Sequence, residues 1–250
     1  MTHRKLVIIP TYNEKENITD MILKVMGLRG EFELLVIDDG SPDGTAQLVK
    51  AQQENFPTRL HLIERRGKLG LGTAYITGFE WALARDYDYI FEMDADFSHN
   101  PKDLIRLYQA CAIDGYDLAI GSRYITGVNV VNWPMDRVLM SYCASIYVNR
   151  ITGLPVKDAT AGFKCYHRSV LESMRLKEIK FIGYAFQIEM KFTAWKLGFK
   201  IIEVPIIFTD RTKGTSKMSS SIFKEAVLGV LRMKIKSVFS PLQPNRNGST

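Results

Sequence analysis

The chain has 250 residues, room for one large α/β domain or two small ones with a sizeable core, and its composition is that of an ordinary soluble protein. Its formal net charge of +6 favours an anionic partner, nucleotide, phospholipid or nucleic acid, without choosing among them. Cys111, Cys143 and Cys165 are widely separated, which speaks against a disulfide framework or a zinc site and for reduced thiols in the cytosol. The apolar run Leu6 to Pro10 is too short for a secretory signal, and no stretch approaches the roughly 18 apolar residues of a spanning helix.

In chain order, the pattern predicts strand 5–9, helix 15–26, strand 33–37, helix 44–54, strand 59–63, helix 70–84, strand 88–93, helix 101–113 and strand 117–121. Such alternation argues for a mostly parallel sheet with helices on both faces. After Gly121 the pattern loosens. Trp133-Pro134 breaks the chain, a helical stretch runs to about Arg150, and 158–163 reads as a turn-rich loop before more helix. A helix at about 184–197, a strand at 200–207 and a basic amphipathic stretch at 219–239 complete the series, and the Pro-, Asn-, Gly- and Ser-rich end is expected to be disordered.

The most informative feature is Asp94-Ala95-Asp96, at the end of an apolar strand. Residues two apart in an extended chain point the same way, so both carboxylates can reach one hard divalent cation shared with substrate phosphates. The alternative is a polar loop that caps the next helix, for which Ser98, Asn100 and Pro101 are ordinary start signals. A second apolar strand ends in Asp38-Asp39-Gly40-Ser41-Pro42-Asp43-Gly44-Thr45, and the first runs into Pro10-Thr11-Tyr12-Asn13-Glu14. Ligands of open parallel sheets bind beyond the carboxyl ends of the strands, where strand order reverses.

Other segments are individually weaker. Gly67-Lys68-Leu69-Gly70-Leu71-Gly72-Thr73 lacks the ending of a phosphate loop, and reads either as a flexible turn or as a helix start whose amides face an anion. Arg123 follows a strand, while Arg137 and Arg211 fall in irregular segments; with Lys217 they suit a site holding two phosphorylated substrates. Of the histidines only His99, beside the acidic loop, attracts interest, and His61 and His167 read as structural.

Together these segments, with Gly121-Ser122-Arg123-Tyr124, Asn132-Trp133-Pro134, Ala161-Gly162-Phe163-Lys164-Cys165-Tyr166 and 211–217, resemble the family 2 glycosyltransferases, and within them the dolichol-phosphate (polyprenol-phosphate) mannose synthase group. The resemblance covers about residues 5–217. It implies a GT-A fold, a Rossmann-like, mostly parallel sheet flanked by helices, and inverting transfer of mannose from GDP-mannose to polyprenyl phosphate. It implies a single catalytic domain over 1–240, with a nucleotide-binding half at 1–121, an acceptor-binding half at 122–218 and an amphipathic helix at 219–240, before a disordered tail at 241–250.

By the same resemblance Pro10, Tyr12, Glu14, Ile37, Asp39 and Ala95 hold the nucleotide sugar, Asp94 and Asp96 the diphosphate and a Mg²⁺ or Mn²⁺ ion, and Ser98 sits at the metal. Some members have Gln at the position of Ser98. Arg123, Arg137, Arg211 and Lys217 bind phosphates of donor and acceptor, and their positions beside the loops of this edge assign the acceptor phosphate to Arg123 and Arg137 and the donor side to Arg211 and Lys217. No nucleic acid is expected. Many relatives carry carboxy-terminal membrane spans, so capture of the lipid here falls to the protein's own surface, the 219–239 helix foremost, or to an anchoring partner or a homo-oligomer. The expected location is cytoplasmic and peripheral to the membrane. The residues leave three rivals open: the same chemistry with UDP-glucose, a nucleotidyltransferase, and a noncatalytic nucleotide-binding module. For helix 219–239, packing on protein is as well supported as lying on lipid.

Overall fold

The computed structural model describes residues 3–211, 220–239 and 244–245. Five strands, β1 (Lys5–Thr11), β2 (Phe32–Asp38), β3 (Leu60–Glu64), β4 (Tyr89–Glu92) and β5 (Leu118–Ser122), lie within a residue or two of the spans predicted for them. Between them run α1 (Ile18–Met26), α2 (Thr45–Gln53), α3 (Leu71–Leu83) and α4 (Asp103–Ala112). There follow β6 (Val130–Val131), α5 (Met135–Thr152), β7 (Lys164–His167), α6 (Arg168–Ser173), α7 (Tyr184–Lys196), β8 (Ile201–Pro205), β9 (Phe208–Thr209) and α8 (Ser220–Phe239).

The main sheet has the order β3-β2-β1-β4-β7-β5-β8, and β6 pairs with β9 in a small second sheet. All neighbours in the main sheet are parallel except β7, which is antiparallel to both β4 and β5. Successive side chains of a strand face opposite ways. Thus Leu6, Ile8, Leu35 and Ile37 enter one buried layer, while Val7, Ile9, Leu34 and Val36 enter the other. With both faces covered, the strands read as continuous apolar runs, as parallel sheets require. Helix α3 comes so close to the sheet that a Cβ on Gly78 would stand 2.8 Å from Ile8.

Two expectations need correction. The stretch after 158–163 opens as strand β7, not helix, because Lys164 stands in register with Glu92 of β4 and their charges pair at 3.1 Å in the interior. The strand expected at 200–207 is found as β8, which ends at Pro205, and a separate short strand, β9, follows it and pairs with β6 in the small sheet. Trp133-Pro134 breaks the chain but also starts α5: Pro134 occupies the cap position with its φ fixed at −58°, so Arg137 lies in the first helical turn and not in an irregular segment.

Helix α8 packs on the domain through Gly229, where an added Cβ would clash with the Phe181 ring, and through Val230, which is buried. The packing alternative therefore holds for one of its faces. Among the described residues no helix is long and apolar enough to cross a membrane. In the tail, only 244–245 fall within the described residues, and there the Asn245 amide donates to the Ser173 carbonyl.

Gly72→Ala tests how tightly α3 is seated. The added Cβ would stand 2.7 Å from the Phe181 carbonyl and 2.9 Å from the Phe186 ring. Overpacking costs about 1–3 kcal/mol, and contact with a main-chain oxygen puts this site at the upper end, beyond the roughly 1 kcal/mol that alanine gains in a helix. A lower urea midpoint is expected. An unchanged or higher one would contradict the packing.

Candidate active site

Strand order reverses between β1 and β4, since the chain leaves β1 toward β2 and β3 and returns to pair β4 on its other side. The loops after β1, β2 and β4 meet at that edge, as the sequence pattern anticipates. Asp38 is buried and accepts from the Thr11 hydroxyl, the Ser41 hydroxyl and the Ser41 amide, so its carboxylate ties the two loops together. The second loop then holds the first: Asn13, Glu14 and Lys15 amides donate to Ser41, Thr45 and Asp43 side chains. Asn13 adopts a positive φ of 56°, the kind of strain that persists only when neighbours fix it.

Asp39 is occupied within the chain. Arg65 donates to it through Nε at 2.6 Å, and the Leu69 amide at 3.3 Å. Arg65 also reaches the Thr73 hydroxyl and the Gly70 carbonyl, so it fastens the glycine-rich segment to the acidic loop. The Gly72 amide donates to the Ile182 carbonyl at 2.7 Å. Two amides of this segment thus serve internal bonds, which favours the turn reading over an anion cradle. Lys68 stands 5.2 Å over the Tyr12 ring at the rim. Pro10 and Ile37 are partners in the β1–β2 register, Ile63 flanks Ile37 on the other side, and the Ile37 side chain is wholly in the core.

In the loop after β4, Asp96 is buried, accepts from the Ser98 amide at 3.0 Å and faces Arg211 at 2.9 Å. Ala95 and Ser98 are buried beside it, and Phe97 takes φ 61° to turn the chain. The Asp94 side chain keeps 41% of its surface open, yet its carboxyl is pushed up to about 7, first by burial and then by the Asp96 charge, while Arg211 pulls the other way. Two acids repelling at this distance form a set of oxygen donors whose charge a divalent cation would relieve. His99 is buried, stacks on Phe163, and accepts the Asp94 amide on Nδ1. Burial pushes it down to about 4, so it is neutral and braces the loop. His61 and His167 make structural contacts, His61 with Glu33 and His167 as the cap of α6.

The cations lie across from these acids. Arg137 donates to Asp210 at 2.8 Å and stacks over Trp133, 4.2 Å from its centroid. Asp210 and Arg211 are adjacent, so one short segment holds Arg137 with one residue and Asp96 with the next. Arg123 is buried; its guanidinium donates twice to Asp158, at 2.7 and 2.6 Å, and once to Thr160, and its amide donates to Asp158 at 3.0 Å. Lys217 lies outside the described residues.

Beneath the loops is a buried polar layer that sequence reasoning does not find. Glu92 meets Lys164 and the Tyr166 hydroxyl; Lys164 also donates to Gln187, and Lys191 to the Ala161 carbonyl. Gln187 and Lys191 are one turn apart on α7, a spacing that puts both on the same face. That spacing was a signal in the sequence, but an uninformative one without knowing that the face points inward. Arg65, Asp158 and Asp210 gave no local signal at all.

The Arg123–Asp158 pair yields a pH prediction. Burial opposes ionisation of Asp158, but the Arg123 charge and its hydrogen bonds win, holding the carboxyl below its usual range. A depressed folded pKa means that its contribution to stability is full above the unfolded value of about 3.9 and is lost as pH falls through the folded one. Asp158→Asn, which strands a buried guanidinium, should cost about 3–5 kcal/mol near neutral pH. Urea midpoints of wild type and variant should converge in acid; a gap that stays constant with pH would show that the charge pair is not the cause.

Comparison with known proteins agrees with this architecture. Residues 6–175 match the family model "Glycosyl transferase family 2". The chain is 46% identical to a polyprenol monophosphomannose synthase of Mycolicibacterium smegmatis, over 94% of this chain and 88% of the relative. It is 44% identical to an undecaprenyl-phosphate mannosyltransferase of Micrococcus luteus, over 92% and 93%. Among solved structures, glucosyl-3-phosphoglycerate synthase of Mycobacterium tuberculosis, in complex with Mn²⁺, UDP and glucosyl-3-phosphoglycerate, superposes with a TM-score of 0.68 at 18% identity, over 93% of this chain and 80% of that one. A mannosyltransferase from Pyrobaculum calidifontis in complex with GDP-Man and Mn²⁺ has a TM-score of 0.55 at 16% identity, over 96% and 75%. These neighbours share the GT-A fold. The chain is a mannosyltransferase that belongs to glycosyl transferase family 2 and, within it, to the polyprenol-phosphate mannose synthase group.

Proposed function

We propose that the protein transfers mannose from GDP-mannose to the phosphate of a polyprenol, with inversion at the anomeric carbon, giving polyprenyl phosphate mannose and GDP. The observation that carries this reading is the Asp94–Asp96 pair facing Arg211, joined through Asp210 to Arg137. One side is suited to a metal-bound diphosphate and the other to a second phosphate. The acceptor class follows the names of the two relatives, and the donor follows the GDP-Man complex of a structural neighbour.

In this reading residues 1–121 bind the nucleotide and 122–218 the acceptor. Pro10, Tyr12, Glu14, Ile37, Asp39 and Ala95 surround the nucleotide sugar. Asp94 and Asp96 hold Mg²⁺ or Mn²⁺, with Ser98 beside them. Among the described residues no group of three or more His, Cys, Asp or Glu side chains is placed to hold a metal. The ion supplies charge stabilisation to the departing diphosphate. Arg211 and Lys217 bind the donor phosphates, while Arg123 and Arg137 orient the acceptor phosphate.

A phosphate monoester is already anionic near neutral pH and requires no strong base, which accords with a neutral His99 whose Nδ1 is occupied. The work is electrostatic stabilisation and orientation of two mutually repelling anions. In the same reading the protein associates peripherally with the cytosolic face of a membrane, through helix α8.

Labelled transfer from a panel of GDP- and UDP-sugars to polyprenyl phosphate in detergent tests the reading. Preference for GDP-mannose with release of GDP is expected; preference for UDP-glucose, or release of pyrophosphate, would overturn it. Asp96→Asn should keep the fold and lower metal-dependent turnover at least about a hundredfold, the scale of losing one charge-stabilising group. Near-normal metal-dependent transfer would remove Asp96 from the site. Asp210→Asn frees Arg137 from its anchor, so the apparent KM for acceptor should change while GDP affinity stays near wild type. The reverse pattern would contradict the division of roles.

A further inference from the structure

Asn132-Trp133-Pro134 is pinned more tightly than a loop leading into a helix requires. Asn132 takes a positive φ of 63°, a conformation that residues other than glycine adopt at a cost, and Pro134 has its φ fixed at −58° as the cap of α5. The approach to these residues is tied down as well. The Asn129 amide donates to the Arg123 carbonyl at 2.8 Å, and the Asp210 amide to the Val131 carbonyl at 2.9 Å. Strain held in this way fixes the direction of a side chain, here the Trp133 indole.

The indole stands beside both cations assigned to the acceptor phosphate. The Arg137 guanidinium lies 4.2 Å from its ring centroid and that of Arg123 lies 5.4 Å from it. Phe208 meets the same ring edge-on at 5.2 Å, and also touches His99, the brace of the Asp94 loop. Yet the indole nitrogen, Nε1, is buried and has no hydrogen-bond partner. That nitrogen can only donate. A buried donor without an acceptor costs free energy, and in folded proteins such groups are few and call for an explanation. Stacking under Arg137 would be served by a phenylalanine ring, which brings no such group.

We propose that the Trp133 N–H is a third donor to the acceptor phosphate, beside the guanidiniums of Arg123 and Arg137, an inference that rests on the proposed acceptor. In the protein alone Nε1 is covered, and Arg137, which stacks on the ring, is held by Asp210. An arriving phosphate competes with Asp210 for that guanidinium, and drawing Arg137 off the ring opens the indole to the same phosphate. The terminal oxygens of a phosphate monoester have lone pairs enough for two guanidiniums and a neutral donor while one oxygen faces the anomeric carbon. A single N–H of fixed direction selects which oxygen does so. Two long guanidinium side chains do not impose that orientation by themselves, and orientation is a large part of the work at this site.

The test compares the full wild-type chain with Trp133→Phe and with Trp133→benzothienylalanine, in which sulfur replaces the N–H and the bicyclic ring keeps its shape. Labelled transfer from GDP-mannose to polyprenyl phosphate in detergent is measured with acceptor and donor varied in turn. Both replacements should lower kcat/KM for the acceptor about tenfold or more, the scale of one hydrogen bond to a charged group, while the donor KM stays near wild type. The sulfur isostere should unfold at a thermal midpoint no lower than wild type, because the group it removes has no partner in the protein alone. A lower midpoint would give the N–H a partner inside the fold and overturn the proposal. An unchanged acceptor kcat/KM in the sulfur isostere would also overturn it, as would a raised donor KM, which would place a sugar hydroxyl on the indole instead of the phosphate. In each of these cases the proposed acceptor stands. Absence of transfer by wild type to any polyprenyl phosphate would overturn the proposed acceptor and this inference together.

Discussion

Two carboxylates delivered to one sheet edge repel each other, and the site is organised around that constraint. Asp94 and Asp96 follow a buried strand closely enough that the charge on one raises the pKa of the other. Such a pair persists only with positive charge nearby or with one proton bound. In the protein alone the counter-charge is Arg211, which stands on Asp96. A divalent ion held by Asp94 and Asp96 would supply the same counter-charge, and in the proposed function the Arg211 guanidinium would then serve the diphosphate. The β6–β9 sheet and the bond from the Thr209 amide to the Ser98 carbonyl keep Arg211 within reach of either position.

The buried polar layer under the loops answers a related problem. Lys164 and Arg123 bring positive charge beneath an acidic edge, yet buried charges cost several kcal/mol each unless paired, and burial pushes the unpaired Lys191 ammonium well below its ordinary pKa. Glu92 and Asp158 supply that pairing, and Gln187 and the Ala161 carbonyl take donors that the carboxylates do not. Rigidity follows from satisfied bonds: a loop whose polar groups are all engaged has few alternative arrangements. His99 extends the brace to the main chain of Asp94. The positive φ values at Asn13, Phe97 and Asn132 fall in loops around the same edge, where strain is held in place by these contacts.

The sequence discloses the first half of the fold because local pattern and tertiary structure agree there. Strands β1 to β5 are apolar runs between turn signals, and the acids at their ends mark the functional edge without further information. Strand β7 was illegible for a physical reason. Its four residues, Lys-Cys-Tyr-His, show no apolar period, and its stability rests on a partner more than seventy residues earlier in the chain, Glu92. The same holds for Asp39 with Arg65, Arg123 with Asp158, and Arg137 with Asp210, pairs whose members are far apart along the chain. Helix α5 was visible as a helix, but its orientation was not, since a stripe of Met, Leu, Tyr and Ile reads as a buried face until the structure turns it outward.

Anomalous diffraction from crystals grown with Mn²⁺ and GDP addresses the central claim most directly. The account predicts one manganese peak between Asp94 and Asp96, shared with the diphosphate, and the Arg211 guanidinium moved off Asp96 onto a phosphate oxygen. A diphosphate bound at this edge with Arg211 still on Asp96 and manganese elsewhere would contradict it.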